Sequence, residues 1–373
     1  MLAASVIALL AAAVPMAPAA VANYDPSGAP HGGFTATAPT APYLLAFATC
    51  LGGNCDDPVN HMIHLAQSAD GVSWSEVPGW QPYIGSVPDV FRRGNTIYVI
   101  GHGVTKLDAV TGKATGHTLA VKKANGQDAM ARDTAFAGQT ADGRLVVVYV
   151  PSMQDVAGAS EIPVMVAVED QGSDGTAFTT TGAAITISKA SLGGQGEPTD
   201  PDVFFNGSSW VLYTSVGANL YSYLGSAVTG PFDLASATRV SSGAGGVPSA
   251  LATPGGVWTY VNDGPTRSSV VIKRAVSATG TAPIPSSSFA TVLTGAAVGG
   301  LTAESPGIAA NIPGTECGAG CAATSSAGSS STPTAGAPAA RPGARCAKAG
   351  QKGSFQGRPL TCRKVKGKLT WSR

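Results

Sequence analysis

Acidic residues recur at the openings of strand-like segments in this 373-residue chain. Asp89 stands in Pro88-Asp89-Val90-Phe91, Asp133 in Arg132-Asp133-Thr134-Ala135-Phe136, and Asp202 in Pro201-Asp202-Val203-Phe204. Carboxyl groups gathered from separate segments can divide acid–base work. In inverting glycoside cleavage one carboxylate activates water while a carboxylic acid, about 6.5 to 9.5 Å away, protonates the leaving oxygen. Their environments must push the two pKa values apart, which a third carboxylate can do. Other chemistries lack their residues. Gly193-Gly194-Gln195-Gly196 and 243–246 precede no helical pattern with the Lys of a phosphate cradle. His61, His64, His102 and His117 have no metal-ligand spacing, and no Ser-His-Asp set follows from the order of residues.

The segments that carry these acids repeat. Each runs through a Gly-containing turn into a second apolar strand: Ile97-Tyr98-Val99-Ile100, Leu145-Val146-Val147-Val148-Tyr149 and Trp210-Val211-Leu212-Tyr213. A fourth copy pairs Pro248-Ser249-Ala250-Leu251 with Val257-Trp258-Thr259-Tyr260, and a truncated fifth starts at Pro306-Gly307-Ile308. The copies lie 44 to 69 residues apart, room for four strands and their loops, which suits a propeller blade. The first unit shows strands at 43–49 and 62–67. A second hairpin closes at Asp70-Gly71, with Trp74 to cover the blade edge, and is echoed at Asp174-Gly175. The fold expected is all-β, a five-bladed β-propeller, with six blades also compatible and a β-sandwich as the rival. In a propeller the strands nearest the axis place their opening residues around a central channel, which would gather Asp89, Asp133 and Asp202.

Composition divides the rest. Residues 1–22 are uncharged and Ala-rich, with Ala20-Val21-Ala22 at the spacing signal peptidase accepts, and are read as a signal peptide. Residues 23–321 form the propeller domain. Residues 322–345 are an Ala/Ser/Pro/Gly-rich linker, too poor in large apolar groups to offset their ordering entropy. Residues 346–373 form a basic C-terminal module small enough to need a disulfide. The six cysteines fall in close pairs, Cys50/Cys55, Cys317/Cys321 and Cys346/Cys362, and disulfides rather than zinc are expected of a secreted chain. Through Cys321 there are 13 Lys and Arg against 22 Asp and Glu; beyond it come ten basic residues and no acidic ones. An acidic body should repel nucleic acid, while the basic tail suits an anionic cell wall.

In the order in which they occur, these motifs resemble the five-bladed propeller glycosidases of glycoside hydrolase family 43, over roughly residues 40–310. The motifs are Pro88-Asp89-Val90 in the second blade, Asp133 with Phe136 and Asp142-Gly143 in the third, and the Ser68 to Trp74 turn. Sialidases fit less well, because the turn at Ser68 lacks the residue that separates Asp and Gly in their Asp box. The resemblance implies an arabinosidase- or xylosidase-type hydrolase that cleaves a polysaccharide by inversion. Asp133 would then tune the acid, Glu197, in Glu197-Pro198-Thr199-Asp200-Pro201, would be the general acid, and Asp25 would be a reserve base. Strict alignment on the strand puts Thr199 in the acid's place, and Glu304 matches the local pattern one blade late. Asp89, Asp202, Trp80 and Glu304 complete the expected substrate contacts, with Tyr83 a second aromatic. No cofactor is called for. A structural Ca²⁺ in the channel is common in the family, but no ligand set for it is readable here. The tail resembles a short module at the ends of secreted actinobacterial proteins. A noncatalytic, glycan- or wall-binding propeller is the alternative function, and a monomer is expected.

Overall fold

The computed structural model describes residues 31–312, except 102 and 194–195, and residues 352–372, except 356–357 and 366–367. The expected signal peptide, the linker and Asp25 lie outside the described residues.

Five sheets follow one another along the first unit, antiparallel throughout except for the short edge strand Ala120–Lys122, which runs parallel to Ala177–Ser188. Their innermost strands are Glu304–Ala310, Asp89–Arg93, Arg132–Gln139, Thr199–Phe205 and Gly246–Thr253. Each inner strand packs on the next and the last returns to the first, so the sheets are the blades of a closed five-bladed propeller. The order of strands explains the truncated fifth copy. Glu304–Ala310 pairs antiparallel with Tyr43–Cys50, so the chain's last propeller strand is the inner strand of blade one. The strands expected at 43–49 and 62–67 are that blade's second and third. Joining the two ends of the domain in one sheet leaves no open seam between the first and last blades.

The sequence pattern follows from this stacking. Second strands such as Leu145–Val150 and Trp210–Val216 are buried at every residue because a neighbouring blade covers each face, and their side chains therefore show no polar alternation. The outer strand Phe232–Ser241 is largely exposed between its buried ends. Five apolar clusters fill the five blade interfaces; Trp210, Tyr223, Val148 and Val166 share one of them.

Side chains latch the blades as well. The Phe136 N–H donates to Asp89 Oδ2 (2.6 Å), and the Ala250 N–H donates to Asp202 Oδ2 (3.0 Å). The Ile308 N–H donates to Ser249 Oγ (3.0 Å). Each latch joins the inner strand of one blade to that of the next. Gly307 stands at the same point in blade one, where a Cβ would lie 2.3 Å from Asp89 Oδ1. The Asp70-Gly71 hairpin is a fourth tie: the buried Tyr260 hydroxyl donates to the Gly71 carbonyl (2.7 Å), and a Cβ on Gly71 would meet the Trp258 ring at 2.2 Å. Trp74 packs edge-on to Tyr260, as expected of a residue covering the blade edge.

Cys50 and Cys55 form a disulfide. In the second unit a three-stranded antiparallel sheet, Lys352–Phe355, Arg358–Val365 and Lys368–Ser372, carries Cys362, which is also disulfide-bonded. Cys317, Cys321 and Cys346 lie outside the described residues.

Candidate functional site

The five inner strands begin at one end of the channel, and each is introduced by a residue with left-handed backbone: Val87, Asp133, Asp200, Val247 and Ser305, with φ between 47° and 53°. For β-branched Val87 and Val247 this conformation is strongly disfavoured, and five repeats of it mark a built feature of the mouth. The same register sorts the acids. Asp133 and Asp200 occupy the left-handed position, whereas Asp89 and Asp202 stand two residues further in, level with Ala135, Ser249 and Gly307. The expected alignment of Asp133 with Asp89 and Asp202 is thus corrected by two residues.

Asp133 is 13% exposed, and its carboxyl is pushed up to about 7, first by burial and then by the charge of Asp200, while Arg132 opposes the shift. The Asp200 backbone N–H is hydrogen-bonded to it. Asp200 Oδ2 accepts from Thr199 Oγ1 (2.6 Å) and Ser215 Oγ (2.7 Å). Between Asp89, Asp133, Asp200, Asp202 and Pro306 lies a cavity of about 20 Å³, the size of one water molecule. Asp200 and Val247 also line a wider groove of about 460 Å³ between blades four and five, with Ser215, Asn262, Asp263 and Arg267 among its walls. That volume suits a small ligand or a sugar unit, and the walls supply hydroxyl, amide and charged partners.

Deeper in the channel, Asp89 and Asp202 are buried. Burial raises the Asp89 carboxyl to about 7, and burial with the neighbouring Asp89 charge raises Asp202 well above its ordinary value. Below them opens a chamber of about 530 Å³ walled by Phe91, Phe136, Phe205 and Trp210. The two acids face both spaces, but their oxygens already hold the blade latches.

The remaining expected site residues lie elsewhere. Glu197 is ion-paired with Lys189 at 2.7 Å and is not among the residues that line the water-sized cavity or the groove. Glu304 opens the inner strand of blade one rather than arriving a blade late. It is 2% exposed, accepts from Thr302 Oγ1 (2.7 Å) and lies 3.4 Å from Arg267 Nη2, so it reaches the groove only through that arginine. Arg267 also donates to the Cys55 carbonyl (3.0 Å) and to Asp56 (2.7 Å), which ties the disulfide loop to the groove wall. Trp80 cannot serve as an exposed stacking surface: it is 5% exposed, packs edge-on to Phe34 and donates from Nε1 to the Ile63 carbonyl, all within the core between blades one and two. Tyr83 is enclosed in the same core. Among the described residues no group of three or more His, Cys, Asp or Glu is placed to hold a metal ion.

The fold and this end of it define a class: a closed five-bladed propeller with paired carboxyl groups at the mouth of its channel. Among solved structures the chain is similar to a thermostable family-43 glycoside hydrolase, at 15% identity over 69% of this chain and 94% of that one, with a TM-score of 0.46. It is similar also to the GH43 endo-arabinanase from Bacillus licheniformis (14%, 77% and 91%, TM-score 0.40). A third is the GH43_1 enzyme from Xanthomonas citri complexed with xylotriose (14%, 68% and 94%, TM-score 0.46). No protein-family profile matches the sequence, and no curated protein is significantly similar to it.

Proposed function

We propose that the protein is a glycoside hydrolase working at the channel mouth, with a glycan seated in the groove between blades four and five. The observation that carries this reading is the Asp133–Asp200 pair around a space for one water, with Asp200 shared by the wall of the wider groove. Asp133, with its carboxyl near 7, holds a proton to give to a leaving oxygen. Asp200, supplied with hydroxyl hydrogen bonds from Thr199 and Ser215, is suited to carry the negative charge and polarise the water. Glu197, on the same crossing into blade four, is the rival proton donor and would first have to leave Lys189. The disulfides support action in an oxidising, extracellular compartment. The basic tail supports retention on an anionic wall.

The test is hydrolysis of aryl arabinosides, aryl xylosides and the corresponding oligosaccharides by the full chain and by D133N and D200N. Both variants should lose about 10²-fold or more, the usual contribution of a positioned acid or base, while still binding the oligosaccharide. The anomeric signal of the first product should be inverted. Unchanged turnover in both variants would overturn the assignment. Binding without turnover in the wild type would leave the noncatalytic reading, which the Lys189–Glu197 pair and Thr199 at the acid's expected place favour.

A further inference from the structure

The second unit sorts its residues by face. In its sheet of Lys352–Phe355, Arg358–Val365 and Lys368–Ser372, partners across strands share a face, while neighbours along a strand alternate. One face takes Phe355, Leu360, Cys362, Leu369 and Trp371, with Arg358 and Lys364 toward the two turns. Cys362 is 1% exposed, so this is the apolar side. The other face takes the three cations Lys352, Arg363 and Lys368. Between them the same register sets four hydroxyl residues, Ser354, Thr361, Thr370 and Ser372, with Pro359 and Val365 at the remaining positions.

The three cations form a row. Lys352 is level with Thr361 on one side of Arg363, and Lys368 is level with Val365 on the other. Each therefore stands one strand over and two residues along, in opposite directions. With strands about 4.8 Å apart and about 3.3 Å per residue, the Cα atoms fall on one diagonal at intervals of about 8 Å. Arg363 and Lys368 are exposed, and no Asp or Glu follows Glu316 in the sequence to neutralise the row. Evenly spaced cations flanked by hydroxyl donors complement a chain of evenly spaced anions rich in oxygen acceptors. Phosphodiesters joined by a short polyol are such a chain, with one permanent charge per repeat at a comparable interval. Duplex DNA carries one charge per about 1.7 Å of its axis, a far denser array. Single-stranded bases need aromatic platforms, and this face has none among its positions. We infer that the cationic face of the second unit binds a polymer of polyol phosphates, with successive phosphates lying along the Lys352–Arg363–Lys368 row. This deepens the reading of the basic tail as a means of retention and is independent of the chemistry at the channel mouth.

The experiment is equilibrium titration of the full chain, at physiological salt, with poly(glycerol phosphate), polygalacturonate and duplex DNA matched in number of charges. The wild type should bind poly(glycerol phosphate) about tenfold or more tighter than either of the others. R363Q and K368Q should each weaken that binding about fivefold, the usual contribution of one cation beside an anionic surface. The double variant should lose about twentyfold or more, and R363K should keep most of the affinity. K364Q is the control, because it removes the same charge from an exposed residue one position away, on the opposite face. It should change binding less than twofold. A loss in K364Q as large as that in R363Q would overturn the inference, since net charge rather than the row would then hold the polymer. Equal or tighter binding of polygalacturonate or DNA would overturn the polyol-phosphate assignment. Binding of none of the three would remove the inference together with the retention reading, and oligosaccharide hydrolysis, measured on the same protein, would still decide the glycosidase reading separately.

Discussion

Replacing Asp89 by Asn should make the protein more stable at pH 8 and less stable at pH 4.5. Asp89 is buried where Phe136 donates to it, and its carboxyl is lifted from 3.8 to about 7, chiefly by burial. Between these two values the folded chain keeps a proton that the unfolded chain has lost, so folding stability falls as pH rises, and it levels off above 7. One such group gives about 1.4 kcal/mol per pH unit, and the shift of about three units gives a ceiling of ~4 kcal/mol. Asn cannot ionise, and its Oδ1 can still accept from Phe136, but its amide N–H groups enter a place that offers them little and should cost roughly 1–3 kcal/mol. The difference between variant and wild type should therefore change sign: destabilised by up to about 2 kcal/mol at pH 4.5, where the wild type has already lost about 1 kcal/mol, and stabilised by about 1–3 kcal/mol at pH 8. Guanidinium unfolding of both proteins at several pH values measures this directly. Taking the difference removes the Asp133 contribution to first order; Asp202, which the Asp89 charge helps to raise, is relieved in the variant and shifts the difference in the same direction at high pH. Parallel profiles for the two proteins would refute the claim that Asp89 is folded with a raised pKa.

Three further outcomes follow from the ring. G307A brings a Cβ to 2.6 Å from the Asp89 backbone and should lower stability by roughly 1–3 kcal/mol in a thermal melt, without changing the Cys50–Cys55 pairing. Y260F removes the hydroxyl that donates to the buried Gly71 carbonyl and should cost about 1–3 kcal/mol by chemical denaturation; an unchanged midpoint would show that the Ser249–Ile308 latch holds blades five and one together without this tie. Replacing Cys50 and Cys55 together by Ser opens a closure five residues apart and should cost about 2 kcal/mol. It should also weaken oligosaccharide binding, because the Cys55 carbonyl helps fix Arg267 in the groove wall.

The blade count and inner strands were legible because each copy opens with the same short run of residues before a wholly apolar strand. Fully buried second strands have no alternation to be misread, and tight Gly turns fix their ends. What was harder to read is set by the ring closing on itself. Glu304 comes last in the chain yet stands at the start of blade one, so counting along the sequence puts it a blade late. Asp200 has a signal in the sequence that only the ring's register makes plain. Setting Val87, Asp133, Asp200, Val247 and Ser305 in one column, four of them directly before proline, places Asp133 and Asp200 together and moves Asp89 and Asp202 inward. Trp80 illustrates a different limit: a Trp between Gly79 and Gln81 looks exposed in sequence, and only the packing of Phe34 and Ile63 shows it enclosed. Lys189, whose charge occupies Glu197, lies eight residues upstream with no local pattern linking the two.

The most direct test of the central claim is a single comparison of oligosaccharide turnover in D133N and E197Q against the wild type. If the chemistry belongs to the paired carboxyl groups at the channel mouth, D133N falls by about 10²-fold or more and E197Q stays within tenfold of the wild type. A full-strength D133N, or a collapse confined to E197Q, would contradict it.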